Sequence, residues 1–107
     1  MTELVREILV LPDGMAEDDI NLHSWALSVK WRGIFNGRSG GGYSVSHYSR
    51  ELSRAGKWGY PQPFQRWQYR FETIDEAVRA ARAVIETVKV GGHTFADWGP
   101  RNRKEYA

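Results

Sequence analysis

Residues 25–35 change side-chain character at every step, and this alternation limits the fold more than any other feature. Trp25, Leu27, Val29, Trp31 and Phe35 occupy odd positions, while Ser24, Ser28, Lys30 and Arg32 occupy even ones. Successive side chains of a strand point to opposite faces, so the segment predicts a strand with one apolar face and one polar, basic face. Such a strand needs a second layer. Ile74, Ala77, Val78, Ala81, Ile85 and Val88 recur at three- and four-residue spacing and supply the apolar stripe of a helix. Thr73-Ile74-Asp75-Glu76 fits a capping box at its start, and Gly91-Gly92 marks its end. Asp75–Arg79 and Arg82–Glu86 are favourable i,i+4 pairs on its outer face. Residues 43–48 resume a strand after the glycine-rich stretch 37–42, which predicts a β-hairpin. Residues 66–72 read as a third strand, with Trp67, Tyr69 and Phe71 on one face and Arg66, Gln68 and Arg70 on the other. The expected class is α+β: an antiparallel sheet of three or more strands, with one main C-terminal helix packed on one face.

The remaining segments are less constrained. Residues 3–11 are apolar with interspersed charge and suit a helix or a buried strand equally. Pro12-Asp13-Gly14 signals a turn, and the acidic residues 15–21 a loop. Residues 49–65, with Gly56, Gly59, Pro61 and Pro63, read as a long connection, functional or mobile, with room for a helical turn in 48–55. Residues 93–98 either add an edge strand or pack Phe95 and Trp98 against the core. At 107 residues the chain suits a single domain, 1–107. Within it we expect an acidic N-terminal segment (1–23), an α+β core (24–98) and a polar tail (99–107).

Composition narrows the chemistry. With 41% hydrophobic and 26% charged residues the chain is a folding sequence rather than a disordered one. It contains no cysteine, which excludes disulfide staples and thiolate metal sites. The N-terminal stretch has no long apolar run, so we expect neither a signal peptide nor a membrane span, and a cytoplasmic location. The net charge of +2 conceals a segregation. Residues 1–23 carry six acids and one base; residues 24–70 carry eight bases and the single acid Glu51. The acidic segment either leaves that basic middle free for a partner or folds back onto it.

Between Trp67 and Ala80 the pattern W-x-x-x-F-x-T-x-x-E-A-x-x-A resembles the last strand and helix of AP2-type DNA-binding domains and of the arm-binding domains of tyrosine integrases. Its F-x-T-x-x-E-A core is also similar to WGR-type domains. The AP2-type and integrase families lay a three-stranded sheet in the DNA major groove, with a helix packed behind it. The resemblance implies that Lys30, Arg32, Arg66 and Arg70 would make the contacts. The long 49–65 connection and the extra terminal segments depart from the family pattern.

Two candidate sites follow. The basic sheet face would present Lys30, Arg32, Arg66, Gln68 and Arg70 to phosphates; the plainer account is a solvated strand face with Arg stems lying over aromatic rings. The 49–65 loop interleaves Arg54 and Lys57 with Trp58, Tyr60 and Phe64. This composition suits stacking on single-stranded nucleic acid or anchoring a protein interface. Alternatively, Trp58 and Phe64 plug the edge of the core. The glycines of 37–42 lack the Lys-Ser/Thr ending of a phosphate loop. His23, His47 and His93 have no metal-ligand spacing, and Glu17, Asp18 and Asp19 lack an EF-hand pattern. No nucleophile, base and oxyanion site stand at recognisable spacing. The sequence therefore predicts a non-enzymatic binding protein without cofactor or metal. Its expected partner is nucleic acid; the alternative is a partner or host protein, met by an adaptor or inhibitor of bacteriophage or mobile-element type.

Overall fold

A computed structural model describes residues 5–36 and 41–98. Five strands form one antiparallel sheet in sequence order: β1 (Glu7–Val10), β2 (Leu27–Trp31), β3 (Tyr43–His47), β4 (Arg50–Leu52) and β5 (Trp58–Gly59). A short helix α1 (Leu22–Trp25) precedes β2, and the main helix α2 (Ile74–Val84) follows the sheet. A two-stranded hairpin, β6 (Lys89–Val90) with β7 (His93–Thr94), completes the described chain.

The alternation in β2 sets the two sides of the sheet. Ile8, Val29 and Val45 are register partners on one side, as are Val10 and Leu27, and this side meets α2. Leu27, Val29, Val45 and Leu52 are fully buried there, each contributing roughly 1.5–3 kcal/mol of transfer free energy. The helix approaches through Ala77 and Ala81, both with no exposed surface, because a small side chain lets the helix axis come close to the sheet. Ile74, Val78, Ile85 and Val88 complete the stripe as expected. Thr73 Oγ1 accepts from the Glu76 backbone N–H at 3.2 Å, half of the expected capping box.

Several local expectations change. Within the apolar stretch 3–11, Glu7–Val10 form strand β1, since Ile8 and Val10 align with the apolar side of β2; residues 3 and 4 lie outside the described residues. Trp25 ends α1 rather than opening β2, and its ring is buried. The 49–65 connection contains two strands. Tyr48-Ser49 forms a two-residue turn from β3 into β4, with Tyr48 at φ 56°, the positive value that tight hairpins need at their first turn residue. The expected third strand, 66–72, is instead largely a 3-10 helix, Pro63–Tyr69. Pro63 cannot donate to a ladder, and Gln62 and Gln65 cap the turn reciprocally. β4 already occupies the edge of β3 at Ser46 and His47, so Phe71 alone reaches that edge, pairing with Tyr43.

The helical region stops before Gly91-Gly92. α2 tightens into a 3-10 turn at Ile85–Thr87, where Thr87 Oγ1 donates to the Val84 carbonyl at 2.6 Å. Gly91 and Gly92, at φ 60° and 83°, form the tip of the β6–β7 hairpin. The expected i,i+4 pairs do not close into ion pairs among the described residues. Such exposed pairs gain little, and Glu86 instead accepts from the Asp13 backbone N–H at 2.7 Å. After β7 the chain is helical at residues 95–98. Phe95 and Trp98 pack on Trp25, with ring centroids 5.9 and 4.7 Å away.

Candidate binding surface

The side of the sheet away from α2 is polar, as the alternation requires. Glu7, Lys30 and Ser44 are register partners across β1–β3; Ser28, Ser46 and Glu51 are partners across β2–β4. Glu7 takes a hydrogen bond from Ser28 Oγ at 2.7 Å and lies 3.7 Å from Lys30 Nζ, so one residue of the acidic segment does fold onto the basic face. Both partners are about half exposed, which makes this a weak, screened pair. Arg32 donates from Nε to Ser44 Oγ at 2.9 Å.

Arg70 departs from the expectation of a solvent-facing cation. It is 5% exposed and ion-paired with Glu51, the one acid of residues 24–70. Its Nη1 also donates to the Tyr69 carbonyl at 3.2 Å. Burial lowers the guanidinium below its ordinary value, Glu51 pulls it back up, and the charges of Arg32 and Arg66 push it down. The strand expected to hold Arg66 and Arg70 is replaced by the 3-10 helix, which carries Arg66 and is followed by Arg70.

The same helix brings the loop cations onto this surface. The Arg54 backbone N–H donates to the Gln68 carbonyl at 2.9 Å, and the Arg54 guanidinium sits 5.5 Å from the centre of the Trp67 ring, within cation–π range. Ser53, Arg54, Ala55, Lys57, Gln68 and Tyr69 line a groove of about 380 Å³. Gly59 admits the Tyr69 hydroxyl, which would lie 2.5 Å from any Cβ at that position. Arg54, Lys57, Arg66 and Gln68 are exposed, and none of the three cations meets a carboxylate within ion-pair distance among the described residues.

The residues singled out in the sequence thus divide. Lys30 and Arg32 belong to the polar side, Arg54, Lys57 and Gln68 line the groove beside Tyr69, Arg66 is exposed on the 3-10 helix, and Arg70 is buried against Glu51. Trp58 and Tyr60 belong to the helix side. Trp58 packs half-buried against the core edge, while Phe64, expected there with it, is 75% exposed. Sequence reasoning missed Tyr48, Arg50 and Lys89, which meet Tyr60 around a second groove on the helix side. The available signal was the Tyr48-Ser49 pair between two alternating stretches. The glycine loop expected at 37–42 lies mostly outside the described residues, as do Arg38 and the tail after Trp98. Among the described residues no three His, Cys, Asp or Glu side chains converge as metal ligands, and no helix is long and apolar enough to cross a membrane.

Comparison of the chain with protein families, curated proteins and solved structures finds no significant match.

Proposed function

We propose that this chain is a non-enzymatic binding protein that grips nucleic acid along the polar side of its sheet. The observation that carries this reading is the row of unpaired cations on that side. Glu51 is engaged by Arg70, Arg54 and Lys57 line the groove, Arg66 stands on the 3-10 helix and Arg32 bonds Ser44, and none of these four has a carboxylate at ion-pair distance among the described residues. Cations arranged this way neutralise phosphates and release their counterions. Trp67, 40% exposed beneath Arg54, offers a ring on which a base can stack.

Fluorescence anisotropy with labelled single-stranded and duplex oligonucleotides tests the proposal. Three or four phosphate contacts predict a log–log salt slope of about −3. The double substitution Arg54→Glu, Arg66→Glu should weaken binding by about a hundredfold, through two lost and reversed contacts. Absence of binding at low ionic strength would refute it.

A protein partner is the second reading, favoured by Tyr60 and Phe64, 68% and 75% exposed. Large aromatics left in water are frequent anchors of protein interfaces. Under that reading Phe64→Ser abolishes capture of a specific protein from nuclease-treated lysate and leaves oligonucleotide affinity unchanged.

A further inference from the structure

A second groove lies on the helix side of the sheet, opposite the polar surface. His47, Tyr48, Arg50, Tyr60 and Lys89 line it, with a volume of about 350 Å³. It brings together two tyrosine rings, two cations and His47, with no carboxylate in its lining among the described residues. The strand register explains how it is built. His47 pairs with Arg50 across the β3–β4 ladder, and Leu52 with Trp58 across β4–β5, so His47, Arg50 and Trp58 project to one side.

Arg50 is held in place before any ligand arrives. Its Nη2 donates to His47 Nδ1 at 3.2 Å, and its guanidinium stands 4.9 Å from the Trp58 ring centre. His47 is fixed in turn, with Nε2 donating to the Ser24 carbonyl at 2.7 Å. The Tyr48 ring meets the His47 ring edge-on at 4.6 Å. Tyr48 also holds its positive φ, a conformation that favours glycine, and remains 68% exposed at the groove wall. Tyr60 adds a second largely exposed ring, and Lys89 a second, exposed cation.

We infer that this groove is a binding site for a nucleoside phosphate, with the flat base against the Tyr48 and Tyr60 rings and the phosphate on Arg50 and Lys89. A pre-oriented guanidinium recognises phosphate by charge-assisted hydrogen bonds, and aromatic rings stack on any nucleobase. The site is separate from the polar surface and does not depend on the reading given for it.

The test is two-dimensional amide NMR of the full chain, titrated in parallel with adenosine monophosphate, adenosine and inorganic phosphate. Adenosine monophosphate should move the amides of Tyr48, Ser49, Arg50 and Gly91 and bind more tightly than either fragment. Lys89→Glu, at an exposed position, should weaken it by about tenfold, the loss of one charge-assisted contact. Tyr48→Gly should weaken it similarly while the melting temperature stays close to that of the parent. Arg54→Glu, on the polar side, should leave it unchanged. The inference is overturned if adenosine monophosphate leaves these amides unmoved at millimolar concentration, or if inorganic phosphate matches its affinity. An acidic tyrosine-containing peptide that moves the same amides where adenosine monophosphate does not would equally overturn it, and would assign the groove to a protein partner.

Discussion

Arg70 and His47 are both buried, on opposite sides of the same sheet, and both matter through what they exclude. Arg70 keeps its charge beneath the polar surface because Glu51 is there to meet it. Glu51→Gln removes the countercharge and should cost about 3–5 kcal/mol in urea denaturation, the usual penalty for a buried ion left alone. The double variant Glu51→Leu, Arg70→Met should recover most of that loss, since two apolar groups need no partner. His47 works the other way. Burial is the largest influence and holds the imidazole below its ordinary value of 6.5; the Ser24 carbonyl raises it and the Arg50 charge lowers it again. The folded state therefore takes up this proton later than the unfolded chain does. Stability is complete above pH 6.5 and falls as the pH drops below it, because the unfolded chain protonates first. Melting curves from about pH 8 to pH 5 should show this decline, and His47→Gln should flatten it. A proton on Nδ1 would also evict the Arg50 hydrogen bond.

At the scale of elements, close backbone approaches at glycines matter most, and Gly42 shows how. Gly42 leads into β3 at φ 95°, and a Cβ there would collide with the Phe71 carbonyl oxygen and crowd the Phe35 ring. Gly42→Ala therefore strikes the backbone pairing of Phe71 with Tyr43, as well as adopting a strained φ. We expect a loss of at least about 2 kcal/mol, from a steric and a conformational term together, and weakened amide-exchange protection at Tyr43 and Phe71. The helix α2 is less fragile. Thr73→Ala removes a single capping bond and should cost about 1 kcal/mol, read as a small drop in melting temperature. The contrast has a physical origin. An uncapped amide at the exposed Thr73 end can turn to water, whereas the Gly42 backbone is enclosed and has nowhere to move.

Across the whole molecule, distant segments close on Trp25. Its indole Nε1 donates to the His93 carbonyl at 3.2 Å, and its ring is packed by Phe95 and Trp98. Trp25→Ala should cost about 3–5 kcal/mol and release the β6–β7 hairpin first, visible as early loss of amide protection at Val90 and His93. The charge segregation along the sequence survives only in part, with Glu7 beside Lys30 and Glu51 beneath the cations. Sequence alone determined the α+β class, the two-sided character of β2 and the apolar stripe of α2, because side-chain periodicity is a local property that packing merely has to satisfy. It also placed Lys30, Arg32 and Arg66 among the exposed cations. Only the tertiary structure decided that residues 66–72 would coil rather than extend, because the free edge of β3 was already taken by β4. It alone buried Arg70 against Glu51 and gathered Tyr48, Arg50, Tyr60 and Lys89 around one groove. Those outcomes rest on which distant segment reaches a given edge or cavity first, and no periodicity within a single segment encodes that competition.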